Sequence, residues 1–182
     1  MPTLPPLSTL PTLPQDLQFH VLDTLFEPSP ELHTLMAPVL AHQTFDSYAR
    51  LIDAVGGRMS ALSAANSSQD RAILHGILGS HPRLGRPKTD SPVELLSEHS
   101  KQEQAQLNTG AEEQAEKLQR LNAEYEERFP GLRFVTFVNG RGRDVIMEEM
   151  QQRIERGNQE REVEEIIQAM CAIAKDRARK LE

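Results

Sequence analysis

The sequence predicts an all-α fold, a single-domain bundle of about eight helices with one extended inner segment. Apolar residues recur at helical spacing along most of the chain, and only residues 134–138 form a β-like run. Because a lone strand has no partner, we expect this run to cross the core in an extended conformation. With 182 residues, 38% of them hydrophobic and only 4% aromatic, the chain can bury one largely aliphatic core.

Residues 1–14 are predicted to form a proline-rich arm, and residues 15–182 the helical domain. Prolines at positions 2, 5, 6, 11 and 14 favour a polyproline-like or disordered arm, or one that drapes over the body. The start has neither the basic segment nor the continuous apolar core of a signal peptide. The ending, Lys180-Leu181-Glu182, is not a peroxisomal Ser-Lys-Leu signal.

In the first half, apolar spacing predicts helices over residues 15–26, from residue 30, over residues 44–55, and from residue 67 to a turn at His81. Ser29-Pro30-Glu31 is typical of a helix start, with an N-cap, a first-turn proline and an acid favoured by the helix dipole. We expect Pro38 to bend or end the second helix. We expect Gly56-Gly57 to stop the third.

In the second half, Ser91-Pro92-Val93-Glu94 forms a capping box that starts a fifth helix. Further helices are predicted over residues 111–129, 143–156 and 160–181. Pro130-Gly131 breaks the first of these, and the extended run that follows closes at Asn139-Gly140.

Composition excludes several classes of function. A net charge of −7 argues against a nucleic-acid surface, and the apolar runs are too short for a membrane span. The single cysteine, Cys171, indicates a reducing compartment. Nucleotide-binding glycine motifs and zinc spacings are absent. His99 and Glu103 are four residues apart and could together bind a metal ion. His99, however, does not lie on the apolar face of the predicted fifth helix, so we expect no metal site there.

His81 is the first candidate for chemistry. Gly79 and Ser80 stop the preceding helix, and Pro82 forces His81 into an extended or turn conformation. An imidazole displayed at a stiff helix exit is suited to proton transfer near its normal pKa. The alternative is an ordinary His-Pro helix stop.

Three polar residues fall on apolar helix faces. Ser100 and Glu103 share the inward stripe of Val93, Leu96 and Leu107, although a slightly rotated stripe would leave both in solvent. On the last helix, Arg177 lies among apolar positions. Either its stem packs while the guanidinium reaches solvent, or the arginine is brought in to face a carboxylate.

Five motifs, in this order and spacing, resemble the 2-oxo-4-hydroxy-4-carboxy-5-ureidoimidazoline (OHCU) decarboxylase family. They are His81-Pro82-Arg83-Leu84-Gly85, Ser100-x-x-Glu103-Gln104, Leu121-Asn122-x-x-Tyr125, Phe134-Val135 and Ile173-x-x-x-Arg177. The resemblance covers residues 15–181, and the stretches near residues 30 and 130–134 look most like fungal members. Residues 107–109 and 129–134 depart from the usual family pattern.

The resemblance implies a lyase that converts the ureidoimidazoline to (S)-allantoin in urate catabolism, without a metal or an organic cofactor. It implies a homodimer in the cytoplasm or peroxisome that acts on a small ureide and binds neither nucleic acid nor membrane. His81 would be the acid/base and Glu103 its partner. The implied substrate-binding residues are Pro82, Ser100, Gln104, the backbone of Thr136, Phe137, Val138, Asn139 and Gly140, and Arg177.

Two other hypotheses stay open at this stage. One is a non-catalytic helical paralogue that acts through protein partners, using the proline-rich arm and the acidic helix 111–129. The other is a lyase or hydrolase that uses the same histidine and glutamate on a related ureide.

Overall fold

The computed structural model describes residues 3–85, 99–100 and 112–182. Within these ranges the chain contains one 3-10 helix and seven α-helices but no strand, which confirms the all-α prediction. In chain order they are the 3-10 helix Leu7–Thr12, α1 Gln15–Leu25, α2 Pro30–His42, α3 Tyr48–Ala65, α4 Ser68–Leu78, α5 Glu112–Arg128, α6 Arg143–Arg156 and α7 Gln159–Leu181. His99 and Ser100 are also helical. The predicted capping box at 91–94 lies outside the described residues.

Polar caps explain where several helices begin. The residue before the helix accepts a hydrogen bond from a backbone amide in the first turn, which satisfies a donor that has no partner within the helix. The caps are Ser29 before α2, Ser47 before α3, Ser67 before α4 and Asn158 before α7. The predicted Ser29-Pro30 start is therefore confirmed.

The predicted helix end at Gly56-Gly57 is wrong, and of the two outcomes expected at Pro38, a bend or an end, the end does not occur. α2 continues past Pro38 to His42, and α3 continues through Gly56-Gly57 until Asn66, whose φ of 53° places it in the left-handed conformation. Packing explains why the glycines do not end α3. A Cβ atom at Gly56 would lie 2.9 Å from the sulfur of Cys171 on α7, so the glycine allows the two helices to approach closely.

α7 forms the centre of the bundle and packs against α3 and α1. Its apolar face is buried throughout its length, as its helical spacing predicts. The residues of that face are Val163, Ile166, Ile167, Met170, Ile173, Ala174, Ala178 and Leu181. No helix in the described ranges is long and apolar enough to cross a membrane.

The N-terminal arm lies along the body. The Leu4 amide donates to the Leu181 carbonyl at 3.1 Å, and the Tyr48 hydroxyl donates to the Pro5 carbonyl at 2.6 Å. Leu10 is only 2% exposed. Of the conformations expected for the arm, the structure has the draped one. The domain boundary at residue 14 stays a prediction.

Residues 132–138 lie in no helix or strand, and they form the extended inner segment. Phe134, Val135 and Thr136 are buried, whereas Phe137 and Val138 are half-buried. Because the segment makes no regular ladder, side chains must hold it in place. It runs between α5 and α6 and supplies one wall of the candidate site.

Candidate active site

A cavity of about 330 Å³ lies where three parts of the fold meet: the exit of α4, the extended inner segment and the C-terminal end of α7. The lining residues are His81, Pro82, Leu84, Ser100, Phe134, Val135, Thr136, Phe137, Val138, Asn139, Gly140, Ile173, Asp176 and Lys180. The wall combines apolar side chains with the backbone of the segment and six polar or charged residues: His81, Ser100, Thr136, Asn139, Asp176 and Lys180. Such a lining is typical of a small-molecule site.

His81 stands at the helix exit predicted for it. α4 ends at Leu78, and the Ser80 hydroxyl donates to the Ile77 carbonyl at 2.6 Å, which caps the last turn. The Arg133 guanidinium then donates to the His81 carbonyl at 3.3 Å. The His81 side chain is only 4% exposed, and its Nε2 has no hydrogen-bond partner among the described residues.

Burial, and secondarily the positive charge of Arg177, lower the pKa of His81 to about 3. The imidazole is therefore neutral at pH 7. The normal pKa expected from the sequence is wrong, because the sequence does not show how completely the ring is removed from water.

Arg177 faces a carboxylate, as one of the two sequence interpretations held. Its side chain is 1% exposed, and its Nη2 lies 3.2 Å from Oε1 of Glu27 and 3.0 Å from the Ser100 hydroxyl. The Ser100 hydroxyl in turn donates to Oε1 of Glu27. Arg177 does not line the cavity itself, but it contacts Ser100, which does.

Sequence reasoning missed Glu27. This residue lies in the connection between α1 and α2, yet it is only 1% exposed. An arginine on an apolar helix face requires an acceptor, but 150 residues separate Glu27 from Arg177. No spacing rule connects positions that far apart.

Sequence reasoning also missed the charged pair on the cavity wall. Lys180 Nζ lies 2.8 Å from the Asp176 carboxylate, and the Lys180 side chain is 65% exposed. Both residues lie in the last turns of α7, between residues of its buried face. Their i,i+4 spacing was visible, although nothing in the sequence placed them beside a cavity.

Arg141 and Glu149 hold the extended wall from behind. Arg141 Nη2 donates to the Phe137 carbonyl at 2.6 Å and to the Thr136 hydroxyl at 2.9 Å. The Thr136 hydroxyl donates to the Glu149 carboxylate at 3.1 Å, and Arg141 pairs with the same carboxylate at 2.9 Å. These hydrogen bonds give polar groups of the segment the partners that a neighbouring strand would otherwise supply. The wall is therefore held in place before a ligand binds.

The structure brings together most of the residues predicted for the site. The cavity is lined by His81, Pro82, Ser100, Thr136, Phe137, Val138, Asn139 and Gly140. Glu103 and Gln104 lie outside the described residues, so their assignment stays a prediction. Within residues 3–85, 99–100 and 112–182, no group of three or more His, Cys, Asp or Glu side chains is placed to hold a metal ion.

Chemically, this arrangement offers a neutral imidazole in an apolar cavity, with hydroxyl and backbone groups on the wall and a buried cation behind Ser100. A low local dielectric strengthens each of these polar interactions with a ligand. The set is suited to orienting a small polar molecule and moving a proton.

Comparison with known families supports this interpretation. The OHCU decarboxylase family matches residues 11–179, which is well over half of the chain. The match includes the exit of α4, the extended inner segment and the end of α7 as far as Arg177. No individual curated protein shows a significant match. The chain belongs to the OHCU decarboxylase family.

Proposed function

We propose that this chain decarboxylates 2-oxo-4-hydroxy-4-carboxy-5-ureidoimidazoline to (S)-allantoin without a cofactor. Family membership supports a carbon–carbon lyase with a role in urate catabolism. The observation that carries the proposal is the buried His81 imidazole on the cavity wall, whose Nε2 has no partner among the described residues. A buried polar atom of this kind is a candidate to contact a ligand.

The chemistry requires few groups. When the C–C bond to the carboxylate breaks, carbon dioxide leaves and the electron pair passes into the conjugated ring of the substrate. A proton must then be delivered to one face of the ring. In the proposal, His81 is the acid/base for this step, and Glu103 orients it or exchanges a proton with it.

The remaining groups hold the substrate. Pro82 and Ser100 line the pocket, and the family resemblance assigns Gln104 the same role. The backbone of residues 136–140 binds the ureido or ring amides. The charge of Arg177, which lies against Ser100, stabilises negative charge on a carboxylate or carbonyl oxygen. Once carbon dioxide has left, the reacting ring is planar, and a rigid wall on one side of it selects the face that receives the proton, which accounts for a single enantiomer.

One assay tests the reaction. The substrate is generated in situ from urate with urate oxidase and hydroxyisourate hydrolase, and its ultraviolet decay is followed with and without this protein. We expect faster decay and allantoin that is predominantly the S enantiomer by circular dichroism. An unchanged decay with racemic product would reject the proposal and favour a non-catalytic paralogue. Activity on a different ureide would favour the related lyase or hydrolase.

Two variants test the residue assignment. We expect His81→Ala and Glu103→Ala each to lower activity by at least about a hundredfold, the usual contribution of a positioned acid or base. His20→Ala and Glu113→Ala, both at exposed helical positions, are the matched controls and should keep full activity. If both site variants remained active, the assignment would be wrong while the family would stand.

We also propose that the protein is a homodimer of the fungal-like type, located in the cytoplasm or the peroxisome. The family resemblance is the support for all three statements. Light scattering of the purified protein tests the dimer, and microscopy of a tagged chain tests the location.

A further inference from the structure

A buried acidic residue lies behind the cavity wall. Glu27 follows the last residues of α1 and precedes Pro28, and its φ of 154° is a conformation that non-glycine residues seldom adopt. Charged residues in helix connections usually face solvent. Glu27 instead turns inward and is 1% exposed, so specific contacts must hold it there.

Arg177 joins this carboxylate to the end of α1. Its Nη2 lies 3.2 Å from Glu27, while its Nη1 donates to the carbonyls of Leu25 at 3.3 Å and Phe26 at 3.4 Å. The last carbonyls of a helix accept no hydrogen bond from within the helix, and here the guanidinium donates to them instead. Glu27 and the α1 terminus together determine the direction of the guanidinium.

Ser100 joins the same carboxylate to the cavity. Its hydroxyl donates to Glu27 and accepts from Arg177, and Ser100 is one of the lining residues. The hydroxyl hydrogen is therefore directed towards Glu27 rather than left to rotate. Any change at Glu27 reaches the cavity wall through this hydroxyl.

A second buried carboxylate shows what a purely structural pair looks like in this fold. Glu162 is fully buried and accepts from Arg153 at 2.8 Å, Arg156 at 3.0 Å and the Tyr125 hydroxyl at 2.6 Å. None of these four residues lines the cavity. The two clusters are alike in burial and charge, but they meet the cavity wall differently. Arg153 of the Glu162 cluster reaches the wall through the Val135 carbonyl at 3.2 Å and the ring of Phe134, whereas Glu27 accepts directly from the side chain of Ser100.

From these contacts we infer that Glu27 is a positioning residue of the active site, an inference that rests on the proposed function. Its carboxylate orients the Arg177 guanidinium and the Ser100 hydroxyl in front of it, so that the hydroxyl meets the substrate in one fixed arrangement with the positive charge behind it. Glu27 does not line the cavity, and it acts through these two side chains.

The test compares Glu27→Gln with Glu162→Gln in the full chain. Initial rates are measured over a range of substrate concentrations generated in situ, at a temperature where melting curves show both variants folded. We expect kcat of Glu27→Gln to fall about tenfold to a hundredfold, as misplaced groups do when the geometry loosens. Glu162→Gln should melt earlier but lower kcat less than Glu27→Gln does, because its cluster reaches the cavity wall only through the Val135 carbonyl and the Phe134 ring and bonds to no polar side chain that lines the cavity. If Glu27→Gln kept the wild-type kcat, the inference would be overturned.

A double-variant cycle with Ser100→Ala adds a readout that a loss of stability would not move. If Glu27 acts in part through Ser100, the double variant should lose clearly less activity than the product of the two single losses. Losses that simply multiply would contradict the inference. If Glu27→Gln does not fold, Glu27→Asp replaces it, since it keeps the charge and withdraws the carboxylate by one methylene; an unchanged kcat there would also overturn the inference. An inactive wild type rejects the proposed function and this inference with it, whereas an active wild type with a fully active Glu27→Gln rejects this inference alone.

Discussion

Replacing His81 by glutamine should flatten the dependence of stability on pH between pH 7.5 and 5. In the folded chain, burial and the charge of Arg177 lower the pKa of His81 from 6.5 to about 3. Between these two values the unfolded chain binds a proton that the folded chain does not. The free energy of unfolding therefore falls as pH drops through 6.5 towards 3, and the contribution is constant above 6.5.

The size of the effect follows from the two pKa values. A shift of one unit corresponds to about 1.4 kcal/mol, so His81 should lower the free energy of unfolding by about 2 kcal/mol between pH 7.5 and pH 5. For a chain of this length that is a shift of roughly 4–8 °C in Tm. Urea unfolding of wild type and His81→Gln at a series of pH values isolates it, because other titrating groups cancel in the difference. Parallel curves for the two proteins would refute the buried neutral imidazole.

Two further predictions concern the scaffold. Ser29→Ala removes the buried N-cap of α2 and should lower the free energy of unfolding by about 1 kcal/mol, whereas Thr34→Ala on the exposed face of the same helix should change it much less; chemical denaturation compares them. Gly131→Ala should destabilise by at least about 1–2 kcal/mol, because φ there is 86° and a Cβ would lie 2.7 Å from Nδ1 of His75. Gly142→Ala, at φ −67° with open space around it, is its control, and an equal loss of Tm in both would contradict the strain argument.

The presence of most helices could be predicted because the local sequence pattern, apolar spacing and end signals, agrees with how the helices pack. The bounds of α6 match the prediction over residues 143–156, where apolar spacing and a following glycine at Gly157 point to the same ends. The ends of α2 and α3 were not predictable. Pro38 and Gly56-Gly57 are local helix breakers, but the buried faces of both helices override them. A single sequence shows the breaker and does not show the neighbouring helix that compensates for it.

The orientation of α1 shows how a distant segment decides which residues are buried. Helical spacing places Leu17 on the same side of α1 as Val21, Leu22 and Leu25, which predicts that it is buried. Leu17 is nevertheless 46% exposed, whereas Gln18 is 4% exposed. The Gln18 side chain donates to the Leu10 carbonyl at 2.8 Å, so the N-terminal arm supplies the partner that allows a glutamine to be buried. The sequence allowed the arm to be polyproline-like, disordered or draped over the body, and it did not select among these conformations. The contact between Gln18 and Leu10 could therefore not be anticipated.

The candidate site likewise has parts that the sequence could predict and a part that it could not. The turn at His81 and the wall at residues 136–140 are short stretches whose own residues determine their shape, and they line the same cavity. The partner of Arg177, in contrast, lies far away in the sequence and cannot be assigned from neighbouring residues. The apolar face of α7 left open whether the guanidinium reaches solvent or faces a carboxylate, and among the 27 acidic residues of the chain only the folded structure selects Glu27. Long-range ion pairs have no periodicity, so sequence patterns cannot assign them.

The carboxylate that Arg177 faces belongs to the protein, and this changes the electrostatics expected for the reaction. An imidazole with a pKa of about 3 holds no proton at neutral pH, so in the free protein His81 is a poor acid. If the proposed reaction occurs, the substrate carboxylate enters the same apolar cavity and opposes the effect of Arg177. A nearby negative charge favours the imidazolium form and raises the pKa. The substrate itself would therefore prepare His81 to deliver the proton, and it would do so only after binding, when water has left the cavity. On this reasoning the group titrates differently in kcat/KM, which reports the free protein, and in kcat, which reports the complex.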